Sequence, residues 1–476
     1  MSGAARARRR VACGLLPCLL TCLLTCLLTC ASWGQPSHSR AARAEPPPAA
    51  ALDAEGAEGA EGEAEGEPWL TAGALLTTEG AALLTPPRAP GAPSAELRHL
   101  AQLSVAVDLK GATLDLGRVV AQGLGVREDR DVQGGNPALG DLHAYSNMRA
   151  EDRLELFELF WERALGPALV RVGKVDANDH FAVSEHEAHL INGAAGYSPS
   201  VFGMPSYPDS AWCAQAGFTS TRVDGLAGVF DGGATELSPT PTGARLWLSP
   251  AAGRGGLFYA AQLTLHLGAL HTQEELAPNE RAAPTQSDRG FQARAPYHVT
   301  AGAWAHRGRV TPNPAAPDEP ARGLPSWGVY ATSDFTLGAL RGGEVGLGLQ
   351  GALSPAYHPL HLSAALTWDE ALAPLAGAPA GLSLALGLSH LSVAEGLAES
   401  FGVGATEEEL AELTATLPVR EWLTVSLSAV YLRGAHLGAG GEAAALVGRV
   451  TVGGGELFVV DAGLGAQPRR ARGGQP

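Results

Sequence analysis

From residue 96 onward the dominant pattern along the chain is alternation of apolar and polar side chains with a period of two. In Gln102 to Lys110, Leu103, Val105, Val107 and Leu109 share one face, while Gln102, Ser104, Ala106, Asp108 and Lys110 take the other. Leu257, Tyr259, Ala261, Leu263, Leu265 and Leu267 oppose Phe258, Ala260, Gln262, Thr264 and His266. Leu382, Leu384, Leu386 and Leu388 oppose Ser383, Ala385, Gly387 and Ser389, and Leu423, Val425, Leu427, Ala429 and Tyr431 oppose Thr424, Ser426, Ser428 and Val430. Segments 345–353 and 362–368 follow the same rule. This period puts successive side chains on opposite faces of a strand.

The runs are about nine to eleven residues long, the length that a tilted strand needs to cross hydrocarbon. Their second face is Ser, Thr, Gly, Ala and Gln, which suits a wetted lumen. Soluble sandwiches and propellers alternate as well. The sum of about a dozen such segments, an export signal and no disulfide framework favours a transmembrane antiparallel β-barrel. At roughly two dozen residues per strand and loop, the barrel has about 16 strands, a size that leaves an aqueous channel. Trp304, Trp327, Trp368, Trp422 and Tyr431 lie near strand ends and are candidates for interfacial girdles.

The first part of the chain reads differently. Arg6, Arg8, Arg9 and Arg10 precede the apolar run Val11 to Cys30, and Ala42-Arg43-Ala44 supplies small residues for cleavage, so residues 1–44 read as a signal peptide. An uncleaved anchor is the rival reading of the same run. Residues 45–95, rich in Glu, Gly, Ala and Pro, read as a disordered acidic spacer. The barrel is expected over 96–461 and a C-terminal tail over 462–476. Within the barrel, Thr406 to Leu417 has capping-box spacing and an acidic first turn, which predicts a short helix. The clusters Gly253 to Gly256 and Gly453 to Gly455 read as turns between strands.

Composition changes this picture little. The net charge of −16 argues against nucleic acid as a partner. Five of the six cysteines, Cys13, Cys18, Cys22, Cys26 and Cys30, fall in the first apolar segment, which leaves Cys213 as a packed or loop thiol. His180, His186 and His189 crowd one segment with Glu185 and Glu187, yet their spacing is not that of a helical zinc protease. Asp176 and Asp179 resemble a glycosidase pair only in residue type. No phosphate cradle or nucleophile elbow occurs between Leu154 and Asp231, and no cofactor or metal is expected.

The block from Arg153 to Asp231 resembles the carbohydrate-selective porin family (OprB type) of bacterial outer membranes. The resemblance rests on ELFELFWER (155–163), LVRVGKVDANDHFA (169–182), Ile191-Asn192-Gly193, GMPSYPDSAW (203–212) and GVFDG (228–232). Gln133 to Asn136 resembles the loop before this block; Trp327 to Tyr330, residues 381–392, 420–434 and 446–452 follow in the family's order. The resemblance implies a 16-stranded outer-membrane barrel that passes sugars down their gradient, with inward-folded loops narrowing the channel. It further implies charged and aromatic contacts to the sugar. By position the candidates are Glu158, Trp161, Arg171, Lys174, Asp176 and Asp179, with Tyr197 and Tyr207 in the loop Asn192–Trp212. The expected partners are carbohydrates or small polar solutes and outer-membrane lipid, with the chain a monomer or a homotrimer. The alternatives are a general diffusion porin or structural barrel without sugar preference, and an exported β-rich glycoside hydrolase.

Overall fold

Most strands turn apolar side chains to the outer face and polar or small ones inward, and the chain closes on itself so that no strand edge is left unpaired. The computed structural model describes residues 68–84, 95–110, 115–128, 146–148, 152–192, 201, 204–205, 207, 210–231, 256–267, 297–307, 326–341, 343–355, 359–372, 380–392, 394, 407–434 and 442–461. They form β1 (Pro68–Leu83), β2 (Ala95–Lys110), β3 (Asp115–Glu128), β4 (Arg153–Leu165), β5 (Ala168–Val175), β6 (Ala211–Phe218), β7 (Val223–Asp231) and β8 (Leu257–His266). The second half supplies β9 (Tyr297–Arg307), β10 (Ser326–Leu340), β11 (Gly343–Leu353), β12 (His361–Leu372), β13 (Leu382–Ser392), β14 (Glu407–Arg420), β15 (Leu423–Gly434) and β16 (Glu442–Asp461).

Neighbours in sequence are neighbours in the sheet, and β1 pairs antiparallel with β16 to close the barrel. Closure satisfies every ladder without an edge, as a lipid-embedded sheet requires. At one end the strands are joined mostly by tight connections, such as 165–168, 340–343 and 420–423, with 266–297 the long exception. At the other end they are joined by longer ones, such as 128–153, 175–211 and 231–257. The β4–β5 turn contains Gly166 at φ 62°, the left-handed conformation that a two-residue hairpin needs.

The outward face is apolar. Leu76, Leu103, Leu154, Leu263, Leu362, Leu413 and Leu427 are all exposed on it. Trp161 and Trp368 donate indole hydrogens to Leu116 O (2.7 Å) and Leu340 O (3.1 Å) near the tight-turn end, where Trp422 is also exposed. These rings suit a girdle, with the body in hydrocarbon and the N–H bonded. Trp304 does not join them. It is buried on the inner face and stacks on Phe258 at 5.7 Å.

Four sequence expectations are corrected. Residues 68–83, expected within the disordered spacer, are β1 and close the barrel; their Thr, Gly and Ala content gives little hydrophobic contrast, but a strand between two partners does not need it. The expected helix at 406–417 is part of β14, with Glu408, Leu410, Glu412 and Thr414 buried on the inner face. The glycines at 453–455 lie inside β16 rather than in a turn. The fourth correction is the inward Trp304. The expected signal peptide (1–44), residues 45–67 and 85–94 of the expected spacer, the expected C-terminal tail (462–476), Gly253 to Gly255 and Gln133 to Asn136 lie outside the described residues.

Candidate channel constriction

The connection that follows β5 does not leave the barrel: its described residues 176–192, with 201, 204–205, 207 and 210, fold into it. Asp176 starts it. Its carboxylate accepts from Asn178 N (2.8 Å) on the outgoing limb and from Tyr207 N (3.0 Å) on the returning one. Its own N–H donates to Glu158 Oε1 at 3.0 Å, and Ala177 N donates to Pro205 O at 2.8 Å. Burial, then the nearby carboxylates of Asp179 and Glu158, hold the Asp176 carboxyl well above the usual carboxylate range. Tyr207 packs edge-on against Phe157 at 6.2 Å and donates its hydroxyl to Met148 O at 3.0 Å. Burial pushes that hydroxyl's pKa up.

From Asp176 the loop crosses the inner wall strand by strand. Phe181, Val201 and Met204 pack with Phe230, Phe258 and Tyr330 in one apolar cluster that seats it. Gln262 on β8 accepts from Ala182 N (3.3 Å) and Tyr330 Oη (2.8 Å), and donates to His180 O (2.7 Å). Gln350 on β11 donates to Ala182 O at 3.1 Å. Asp334 on β10 accepts from Ser184 Oγ (2.8 Å) and His186 N (3.0 Å), and its other oxygen faces His298 Nε2 at 3.1 Å. On β12, Ser363 donates to Glu187 (2.6 Å) and Thr367 meets His186 Nδ1 (3.0 Å). At the far side Glu412 on β14 accepts from Ile191 N (2.6 Å), Asn192 N (3.0 Å) and Asn192 Nδ2 (2.6 Å).

Small residues on the wall make this approach feasible. A Cβ at Gly346 would collide with the His186 ring, and one at Gly387 with the Leu190 side chain. These strands are glycine-bearing where the loop lies against them.

The opposite wall carries charge in register. Arg449, Glu79, Arg98 and Glu128 occupy one row across β16, β1, β2 and β3. Arg449 Nε and Nη2 bond Glu79 Oε2 at 3.0 and 2.6 Å, Arg98 Nη1 lies 3.6 Å from Glu79 Oε1, and Arg98 Nε lies 3.1 Å from Glu128 Oε1. Arg98 also pairs with Glu96. Asn147 joins this row to the loop: its Oδ1 accepts from Arg449 Nη2 (2.6 Å) and its N–H donates to Ile191 O (2.8 Å). A second row runs across β4 to β6, where Arg171 donates to Glu162 Oε2 (3.1 and 2.7 Å) and Gln215 (3.1 Å), its guanidinium 5.0 Å above the Phe160 ring. Planar guanidinium forks suit such bonding between neighbouring strands.

The sequence candidates separate accordingly. Arg171 lies buried on the inner face of the wall; Glu158, Asp176, Asp179 and Tyr207 belong to the base of the loop. Lys174 is buried in the wall, donating to Leu156 O at 2.7 Å with Glu155 at 3.9 Å. Trp161 is cross-strand from the exposed Val172, so it lies on the outer face and is removed from the channel. Tyr197 lies outside the described residues. The inward loop also begins earlier than Asn192, at Asp176, and Trp212 belongs to β6. Reading the sequence missed Glu79, Arg98, Arg449, Gln262, Asp334 and Glu412. Their one signal is a charged or amide residue on the polar face of a strand, and nothing local tells such a residue from a solvated one.

A family model described as carbohydrate-selective porin, OprB family, matches residues 96–358, more than half of the chain. The chain belongs to the carbohydrate-selective porin family. Its fold is similar to the high-pH structure of Pseudomonas putida OprB at 14% identity and a TM-score of 0.61, covering 82% of this chain and 94% of that one. Vibrio cholerae OmpT in its trimer form aligns at 11% identity and a TM-score of 0.45, over 81% of this chain and 99% of that one. A Rhodopseudomonas blastica porin triple mutant aligns at 12% identity and 0.41, over 81% and 99%. No curated protein matches the sequence. The porin is therefore an outer-membrane channel for sugars and not an enzyme. The hydrolase reading falls with it, since Asp176 is committed to fastening the two limbs of the loop. Among the described residues no group of three His, Cys, Asp or Glu is placed to hold a metal ion.

Proposed function

We propose that sugars pass between the inward loop and the wall formed by β16, β1, β2 and β3, and that the row Arg449, Glu79, Arg98, Glu128 is the selective surface. The supporting observation is the alternation of sign along that row. Each cation neighbours an anion, so the row carries little net field, and the buried Glu79 and Arg98 hold the partly exposed Arg449 and Glu128 as fixed donors and acceptors. A neutral polyhydroxylated solute can exchange water for such groups, whereas a simple ion gains little from them. Arg171, with Glu162 and Gln215, is a second station of the same kind nearer the tight-turn end.

The inward loop sets the width of this path, held at its start by Asp176 and at its far side by Glu412. The tight-turn end faces the periplasm and the long-connection end the exterior, as in bacterial outer-membrane barrels generally. The Arg-rich start and apolar run support export through a signal at 1–44. Residues 45–67 then act as a spacer before β1, and 462–476 as a tail after β16.

Liposome swelling with a panel of neutral sugars tests the proposal. Reconstituted porin should admit them selectively, and Arg98→Gln should alter the order of the panel. An unchanged order would remove the row from selectivity while leaving the family assignment intact.

A further inference from the structure

We propose that the outward face of β3 binds one anionic phosphorylated lipid of the surrounding membrane, with its acyl chain in a groove along the strand and its phosphate at Arg127 and His99. Leu124 and Val126 are buried on the inner face of β3, so Ala121, Gly123, Gly125 and Arg127 point outward. The next three outward residues below Arg127, Gly125, Gly123 and Ala121, are thus small, and Val119 follows them. Larger apolar residues flank them at all but one position: Gly123 lies between Leu103 and Leu156 and Ala121 between Val105 and Leu159, while Gly125 lies between Leu154 and the small Ala101. Leu103 and Leu154 are 57% and 63% exposed, so both stand proud of the sheet. The result is a trough with a Gly/Ala floor about 13 Å long from Ala121 to Gly125, its walls about 10 Å apart backbone to backbone.

The head of the trough is cationic. Arg127 is exposed and is the cross-strand partner of His99, whose Nδ1 lies 3.0 Å from Thr78 Oγ1 on β1. That contact engages one ring nitrogen and leaves Nε2 as the second polar atom. The acid nearby at the start of β4, Asp152, accepts from the Glu128 backbone at 2.7 Å. Arg127 and His99 lie within a few residues of the strand ends on the long-connection side, the depth at which an outward charge meets lipid headgroups instead of hydrocarbon. Arginine, imidazole and hydroxyl together suit a phosphate, and the apolar trough beneath suits the chain attached to it. This combination of charge above and groove below identifies a lipid rather than a second protein surface.

Two substitutions separate the parts of the site. Arg127→Gln removes the charge, and Gly123→Leu fills the trough; a Cβ at Gly123 would come no closer than 3.9 Å to a neighbour, so the barrel accepts it. Gly448→Leu, elsewhere on the outer face with no atom within 4 Å of the added Cβ, is the control. The porin is reconstituted in nanodiscs of equal parts phosphatidylcholine and phosphatidylglycerol, released into detergent, and examined by native mass spectrometry. Heat-modifiable migration verifies each barrel. The wild type and Gly448→Leu should retain one phosphatidylglycerol, and Arg127→Gln should lower its occupancy by about tenfold, the loss expected for one charge-assisted contact, with Gly123→Leu lowering it by a similar factor through the blocked trough. The proposal is overturned by equal retention in all four proteins, by equal retention of phosphatidylcholine, by no retained lipid in the wild type, or by a dimer that Gly123→Leu abolishes.

Discussion

Asn192 and Glu412, on the inward loop and on β14, are joined by two hydrogen bonds, from the Asn192 backbone at 3.0 Å and its side-chain amide at 2.6 Å. Ile191 N adds a third at 2.6 Å, so one buried carboxylate fixes the far side of a loop that begins on β5. Hydrogen bonds to a charged acceptor contribute about 1.5–3 kcal/mol each, though not additively.

Glu412→Ala should therefore weaken the loop's attachment by about 3 kcal/mol, roughly a hundredfold in the attached-to-detached ratio. Planar-bilayer recordings should show larger and noisier conductance steps than wild type. Steps of wild-type size and noise would mean that the loop is held without this carboxylate.

The Gly387 seat gives a steric version of the same test. Gly387→Val would push into Leu190, and overpacking of this kind costs about 1–3 kcal/mol. The barrel should keep its heat-modifiable migration while the loop lifts and conductance rises. A variant that fails to form a barrel would place the strain in β13 instead.

Asp176 predicts a pH dependence. Its carboxyl pKa is raised in the folded loop, chiefly by burial and then by Asp179 and Glu158. A raised folded pKa contributes stability below the unfolded value and loses it as pH rises through the folded value. Channel noise from the loop should thus grow as pH climbs above the ordinary carboxylate range. Asp176→Asn loses one acceptor, and so should be noisier throughout, but its noise should be flat with pH. A matching slope in both proteins would trace the effect to another group.

Charge balance in the wall row can be read electrically. Arg98→Gln leaves three carboxylates, Glu79, Glu96 and Glu128, with one guanidinium, Arg449. An uncompensated unit charge at about 4 Å in water is worth about 1 kcal/mol, so the cation-to-anion permeability ratio should rise about fivefold. Reversal potentials in a salt gradient measure it. No shift would mean that ions do not pass this row.

Much of the barrel was legible because lipid and water face opposite sides of each strand, and alternation records that difference directly. It failed where contrast was low or misleading. In β1, residues 70–83 alternate among Thr, Gly, Ala and Leu beside an acidic low-complexity run, and only pairing with β16 and β2 shows them to be a strand. In β14 the repeated Glu and Leu fit a helical period as well as a strand's, and the inward Glu408 and Glu412 are explained by the loop and lumen they face, not by neighbours in sequence. The family block around Arg171 and Asp176 contains the segment that folds inward, although the sequence suggested a loop beginning at Asn192. Its anchors, however, lie far along the chain, with Ser184 bound to Asp334 and Asn192 to Glu412. Such contacts follow from closure of the barrel, which no local pattern encodes. Trp161 misled for a related reason, since one step along a strand reverses the face.

The most direct test of the sugar path is current block by added neutral sugar, titrated in planar bilayers for wild type, Arg98→Gln, Glu79→Gln and the outer-face control Trp161→Phe. The apparent sugar affinity should change by about threefold or more in the two row variants, the effect of losing one modest hydrogen bond, and stay at the wild-type value in Trp161→Phe. Equal block in all four proteins would contradict a sugar path along the Arg449 to Glu128 row.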